Sequence, residues 1–272
     1  MPVSARQPVQ TASVPTVDWR RVLRNTLLSR ALDRLEETRL VPERKVLYQF
    51  SARGHDVTQS LLALHLTGAR DAVAPYYRSR PLALAMGLSA EEALASSMMR
   101  AQGMSGGRDI GVVINLPNRQ GPCLLPACGG VGTQYTPATG WAQALAYRAR
   151  VLGEQQYSGS IAVVQGGDAS TATNGFWASL NIATTGGLPL LYFIEDNGYG
   201  ISVKSDRQTP GGDIAANLAA FRNLRIFNGD GSDPAAAATL IGQSVAAVRA
   251  GAGPVLIRLT VPRLSGHSGQ DT

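Results

Sequence analysis

Two cysteines, Cys123 and Cys128, and three histidines, His55, His65 and His267, are all that this chain contains of those residue types. No second cysteine pair and no adjacent histidine completes a zinc site, which takes about four such ligands. Two cysteines also imply no disulfide framework, and a reducing compartment, the cytoplasm, fits them better. No apolar run reaches the roughly 20 residues of a membrane span, so no membrane partner is expected. Dense Lys/Arg blocks with interleaved aromatics are missing too, which argues against nucleic acid. Charged residues make up only 16% of the chain, against a usual ~25%. Fewer charges suit a chain that buries extra surface against a partner. The balance is nonetheless +6, a mildly basic surface that would attract an anionic cofactor or an acidic partner.

Several nucleotide and hydrolase signatures are also missing. The segment Gly103-Met104-Ser105-Gly106-Gly107-Arg108 is glycine-rich but lacks the Gly-Lys-Ser/Thr ending of a P-loop. Its letters match a Gly-x-Ser-x-Gly elbow, yet a helix pattern precedes it and a loop follows, the reverse of what that elbow needs. No Gly-x-Gly-x-x-Gly lies between a strand and a helix, which disfavours an NAD-binding domain. Residues 1–16 are rich in Pro, Ser, Thr, Val and Gln, with one Arg, Arg6. They lack the apolar core of a secretion signal and read as a disordered leader. Residues 17–272 then form one domain, long enough for a substantial core.

What is present is an alternation of helix and strand patterns. Residues 18–40 repeat apolar positions at helical spacing, with Trp19, Val22, Leu23, Leu27, Ala31, Leu32 and Leu35 on one face. Arg20, Arg24, Asp33 and Glu37 fill the other. A second helix is expected over 55–66 and a short apolar segment over 72–76. Ser89-Ala90-Glu91-Glu92 is a capping box, opening a helix to about residue 100. Residues 103–140 are loop-rich, and 140–152 look helical. Strands follow over 161–164, 190–194 and 254–259, with a helix between the first two over 174–185, closed by Gly186-Gly187. Asp233-Pro234 caps a last helix. This order predicts an α/β fold, a doubly wound, mainly parallel sheet with helices on both faces.

Two of the predicted strands deliver oxygen ligands at their C-terminal ends. One runs into Gly166-Gly167-Asp168, the other into Glu195-Asp196-Asn197-Gly198-Tyr199. The two motifs lie roughly thirty residues apart, one βαβ crossover. A carboxylate and an amide oxygen are hard donors that suit Mg²⁺, an ion that usually keeps positions open for phosphate oxygens. The Ala169-Ser170-Thr171 turn before the next helix offers backbone N–H groups to a phosphate. Read alone, the same stretch is equally a plain strand-to-helix turn. Tyr76-Tyr77-Arg78 places a guanidinium where it could grip a phosphate, and His267 sits in a loop after the last strand, placed to carry a proton. A Mg²⁺-dependent phosphotransfer enzyme would use a similar pair of ligands, but the missing P-loop argues against ATP.

Taken together, GGDASTATNGFWASLNIATTGGLPLLYFIEDNGYGIS, PYYRSRPLALAMG, RGHDVTQ and SGHS resemble, in the expected order, the landmarks of thiamine-diphosphate enzymes. The resemblance is to the alpha portion of the decarboxylating component of 2-oxo acid dehydrogenase complexes, and covers residues 18–272. It implies Asp168 and Asn197 as Mg²⁺ ligands, with the Tyr199 backbone carbonyl. Tyr77 and Arg78 would hold the diphosphate, helped by Gly167 and the Ala169 and Ser170 amides. Val131 would lie against the aminopyrimidine and His267 would face the reacting carbon. Cys128 and Thr133-Gln134 would fall in a loop that holds K⁺ in some members. Ser268 matches a position that is a regulatory phosphoserine in some animal members.

The implied activity is oxidative decarboxylation of a 2-oxo acid, with a branched-chain substrate favoured over pyruvate or acetoin. The acyl group would pass to a lipoyl-bearing acyltransferase. The implied partner is a beta portion, which supplies the carboxylate that activates the cofactor. Four departures stand out. Cys128 replaces the hydroxyl residue common in the potassium loop, which counts against that ion. Ala169 replaces a glycine, which would be costly if that position needed a positive φ. Ala172-Thr173-Asn174 replaces a Ser-Glu-Gly run. The chain stops soon after His267, as the alpha half of a longer fused chain or a fragment of one would. A non-catalytic homologue acting as a structural partner is the alternative that these departures suggest.

Overall fold

The computed structural model describes residues 16–111, 113–116 and 121–269. The leader expected over 1–16 lies outside them, except for Thr16. Among the described residues there are eight strands: β1 (Ala72–Ala74), β2 (Cys123–Leu124), β3 (Ala162–Gly167), β4 (Leu190–Asp196), β5 (Tyr199–Gly200), β6 (Val203–Lys204), β7 (Arg225–Asp230) and β8 (Val255–Thr260). Six of them make one sheet in the order β2-β1-β3-β4-β8-β7, parallel at every pairing. The other two, β5 and β6, form a small antiparallel hairpin.

Side chains alternate across each strand, so the apolar runs feed two cores. Val163, Leu191, Phe193 and Ile257 point into one. They meet α1 (Trp19–Leu35), α2 (Asp56–Ala63), α3 (Arg80–Ala85), α4 (Ala90–Ser97) and α8 (Pro234–Arg249), which supply Val22, Leu61, Leu82, Ala93 and Ile241. Val164, Tyr192, Ile194 and Leu256 point into the other. There α5 (Tyr135–Arg150), α6 (Asn174–Gly186) and α7 (Ile214–Asn217) supply Ala138, Phe176 and Ile214. Burial on both faces is why these strands are nearly all apolar. This is the expected doubly wound α/β architecture. Among the described residues no helix is long and apolar enough to cross a membrane.

Local chemistry sets the element ends. Ser89 and Glu92 form both bonds of the capping box. Asp233 accepts the Ala235 and Ala236 N–H groups at the start of α8, and Gly187 closes α6 in the left-handed conformation at φ 55°.

Four sequence expectations need correction. The predicted apolar face of α1 is buried only in part: Val22 and Leu32 are buried, but Trp19, Leu23 and Leu27 are exposed, and Asn25, Ser29 and Asp33 are buried in their place. Asn25 and Asp33 are buried because they have partners, whereas the buried Ser29 hydroxyl has none among the described residues. Asn25 Nδ2 donates to Ser60 Oγ at 2.7 Å and to the Pro81 carbonyl at 2.8 Å. Asp33 and Glu36 pair with Arg80. The helix after the loop-rich middle starts at Tyr135, not at residue 140. The helix expected to residue 100 ends at Ser97. Strand β7 was not expected, because this edge strand is half exposed and has no apolar run.

The topology positions the site. From β1 the chain moves outward to β2, whereas β3 leads the other way to β4. Ligands of open parallel sheets bind beyond the strand C-termini where the winding reverses. The ends of β1, β3, β4 and β8 carry Tyr76-Tyr77-Arg78, Asp168, Asn197 and the 261–269 segment respectively.

Candidate active site

A cavity of about 820 Å³ opens at this edge. Tyr77, Arg78, Val131, Gly167, Asp168, Ala169, Ser170, Asn197, Tyr199, His267 and Ser268 all line it, with Cys128 and Gln134. Segments far apart in sequence are therefore brought to one space.

Asp168 ends β3 at the floor of the cavity and is 4% exposed. Neither of its carboxylate oxygens has a hydrogen-bond partner. Burial, and then the nearby Asp196 charge, push its pKa up to about 6, although the Asp168, Asn197 and Ala169 backbone N–H groups pull the other way. Two orphaned oxygens on one buried carboxylate leave this group short of a positive partner. Asn197, past the end of β4, accepts the Tyr199 N–H on Oδ1 at 3.0 Å. Its Nδ2 lies 3.1 Å from His55 Nε2. Gly198, at φ 79°, makes the turn between Asn197 and Tyr199. Among the described residues no three His, Cys, Asp or Glu side chains gather to hold a metal. The donors here are one carboxylate, one amide oxygen and backbone carbonyls, a set that fits Mg²⁺ completed by phosphate oxygens and does not fit zinc.

The side of the cavity expected to meet an anion is built around Arg78. Arg78 is 4% exposed. Its guanidinium donates to the Ser51 carbonyl and, at 3.1 Å, to the His267 carbonyl, and it stands 5.4 Å from the Tyr77 ring centroid. Among the described residues no carboxylate pairs with Arg78 at ion-pair distance. The loop at Ser170 is closed from within. Tyr135 Oη meets Ser170 Oγ at 2.6 Å, and Ser170 donates to the Gly167 carbonyl at 2.5 Å. The Ser170 hydroxyl thus turns away from a ligand, leaving its backbone N–H for that role. A Cβ at Gly166 would come within 2.5 Å of Ser170 Oγ and 2.7 Å of Tyr135 Oη.

Ala169 lies in a 3₁₀ turn, Asp168–Ala172. It is absent from the non-glycine residues with positive φ, which among the described residues are Arg44, Met99, Ile201 and Asn223. Alanine therefore bears no strain where the family pattern has glycine. Its Cβ packs on Gly200, where a Cβ would stand 2.6 Å away. His267 is half-buried and joins an aromatic wall, 5.4 Å from Phe50 and 5.8 Å from Tyr77 between ring centroids. In the loop over residues 128–134, Gln134 Oε1 accepts the Gly132 N–H and Thr133 Oγ1 donates to the Gly130 carbonyl. Those groups serve the loop itself, so they give no support to a K⁺ site.

Sequence reasoning gave no role to several residues that shape the cavity. Arg263 lines it and stacks 5.4 Å from the Tyr199 ring centroid. Glu195 is fully buried and takes hydrogen bonds from Thr58, Gln59 and Gln165 at 2.5, 2.9 and 2.9 Å. Burial raises its pKa to about 7 against those bonds. His55, known only as part of RGHDVTQ, touches Asn197. No local spacing could announce these partners, which are more than a hundred residues apart for Thr58, Gln59 and His55.

Comparison with known proteins identifies the family. The family model described as "Dehydrogenase E1 component" matches residues 24–272. The 2-oxoisovalerate dehydrogenase subunit alpha of Bacillus subtilis (strain 168) is 28% identical over 229 residues, 84% of this chain and 66% of that protein. The pyruvate dehydrogenase E1 component subunit alpha of Rhizobium meliloti is 27% identical over 201 residues, 74% of this chain and 54% of that protein. The 3-methyl-2-oxobutanoate dehydrogenase subunit alpha of Mycobacterium tuberculosis is 30% identical over 151 residues, 55% of this chain and 38% of that protein. The chain thus spans less than two thirds of the length of these relatives.

Proposed function

Because the chain belongs to the dehydrogenase E1 component family, we propose that it is the alpha part of a thiamine-diphosphate-dependent 2-oxo acid dehydrogenase, acting with a beta portion. The observation that carries this reading is the buried Asp168 carboxylate, with no partner on either oxygen, facing the same cavity as Asn197 and Arg78. Asp168, Asn197 Oδ1 and the Tyr199 carbonyl would hold Mg²⁺. Tyr77, Arg78, Gly167 and the Ala169 and Ser170 N–H groups would hold the diphosphate. Bound thiamine diphosphate supplies a nucleophilic carbon that lets a 2-oxo acid release carbon dioxide. Val131 would pack against the cofactor's ring system. His267, on the aromatic wall, would hold or move a proton at an imidazole nitrogen beside the reacting carbon.

A branched-chain 2-oxo acid is the favoured substrate. Relatives carry both kinds of name, three of the eight for 2-oxoisovalerate or 3-methyl-2-oxobutanoate and five for pyruvate, so the names do not choose between them. What favours a branched side chain is the cavity wall, whose lining includes the apolar surface of Tyr48, Phe50 and Ile110. The acyl group would pass to a lipoyl-bearing acyltransferase. The beta portion would supply the carboxylate that activates the cofactor, so turnover should require it. No K⁺ site is proposed.

The test is calorimetric titration of thiamine diphosphate with Mg²⁺ into the chain and into Asp168→Ala, each alone and with the beta portion. Saturable binding lost in the variant is the expected result. Absence of binding by the folded wild type under both conditions would overturn the reading. Carbon dioxide release from 2-oxoisovalerate exceeding that from pyruvate would support the substrate assignment, and the reverse would refute it.

A further inference from the structure

His55 stands where the metal reading leaves a question open: which end of the Asn197 amide faces the cation. The Tyr199 N–H can only donate, so the Asn197 atom that it meets at 3.0 Å must be the oxygen. The nitrogen then lies at the other end, 3.1 Å from His55 Nε2. An amide nitrogen only donates, so Nε2 must be an unprotonated acceptor and the ring proton sits on Nδ1. Either the imidazolium or the Nε2–H tautomer would set two donors against each other.

The ring is held for this task. His55 is 1% exposed and occupies the N-cap of α2. Its N–H donates to the Ala52 carbonyl at 2.9 Å, and its carbonyl accepts the Gln59 N–H at 3.2 Å. The preceding Gly54 has φ 95°, and a Cβ there would run into the Pro262 carbonyl. That close approach presses the His55 turn against the chain leaving β8. Nδ1 is buried and meets no hydrogen-bond partner among the described residues.

We propose that His55 is a positioning residue for the metal site, accepting a hydrogen bond from Asn197 Nδ2 so that Asn197 Oδ1 is the atom presented to the cation. This inference rests on the Mg²⁺–diphosphate reading of the cavity. The amide is pinned at both ends, by His55 on nitrogen and by the Tyr199 N–H on oxygen. With the His55 pin removed, rotation of the amide would turn an NH₂ group towards the cation, and that group cannot ligate it. Partners of metal ligands commonly matter in this way.

The test compares wild type, His55→Leu and His55→Gln by the Mg²⁺ concentration that half-saturates thiamine diphosphate binding, measured by calorimetry in the assembly that binds the cofactor. His55→Leu should need roughly tenfold more Mg²⁺ or beyond. His55→Gln, whose Oε1 can stand in for Nε2, should recover most of that loss. An unchanged Mg²⁺ requirement in His55→Leu would overturn the inference while leaving the cofactor reading intact. So would equal losses in both variants, since that marks a packing role. A wild type that binds no cofactor at all defeats the metal reading instead, and the inference with it. A second readout needs no cofactor: long-range ¹H–¹⁵N spectra of the wild type should show the Nδ1–H tautomer at His55, and an Nε2–H ring would refute the assignment.

Discussion

Gln59 and Glu195 stand 136 residues apart in the chain and are joined by a 2.9 Å hydrogen bond in a fully buried pocket. The same Gln59 Nε2 reaches the Arg78 carbonyl at 3.2 Å, and its Oε1 accepts the Leu82 N–H at 3.3 Å. One side chain thus ties the anion-gripping turn to the strand that ends in Asp196-Asn197. Gln59→Met would leave a backbone carbonyl, a backbone N–H and a carboxylate each short of a partner. Unfolding by urea should show a loss of about 1–3 kcal/mol, against a change within about 0.5 kcal/mol for the exposed Gln143→Met.

Arg80 offers a sharper contrast between buried and exposed charge. It reaches both Glu36 oxygens at 2.7 Å and also Asp33. Both carboxylates are buried. Arg80→Met would strand two acids and should cost about 3–5 kcal/mol. Arg39 pairs with Glu43 at 3.2 Å on the surface, and Arg39→Met should cost under about 1 kcal/mol. Equal costs would mean that the buried triad is not the support for α1 that its geometry indicates.

Asp168 trades stability for binding. A buried carboxylate with no partner disfavours the folded state, so Asp168→Asn should make the cofactor-free chain more stable by about 1–3 kcal/mol. Thermal unfolding without divalent cations would measure the gain. Adding Mg²⁺ and thiamine diphosphate should then raise the melting temperature of the wild type and leave the variant where it was. A variant less stable than wild type would show that the carboxylate has a partner in solution.

The two cysteines should react at different rates. Cys128 is exposed, and hydrogen bonds with the Thr133 hydroxyl and from the Gly130 N–H hold its pKa down. Cys123 is half-buried, and burial pushes its thiol up. Iodoacetamide should modify Cys128 first, read by peptide mass spectrometry. Because Cys128 lines the cavity, thiamine diphosphate with Mg²⁺ should slow that reaction and leave Cys123 unaffected.

The central strands β3, β4 and β8, the long helices, the caps at Ser89 and Asp233 and the stop at Gly187 were legible in the sequence, because each depends on residues within a few positions. So were the two motifs at Asp168 and Asn197, since each follows its own apolar strand. The face that α1 buries was legible only in part, at Val22 and Leu32. Its leucines at 23 and 27 are exposed, while Asp33 and Glu36 go inside because Arg80, on another helix, meets them. Strand β7 was also hidden, being an edge strand with no apolar run. Sequence alone decided which chemistry-bearing residues stand at the strand ends. Tertiary structure alone decided that Asp168 is buried without a partner, that Gln59 braces Glu195 and that His55 meets Asn197. Local backbone preferences are set within a few residues, whereas burial and long-range hydrogen bonds exist only once distant segments have packed.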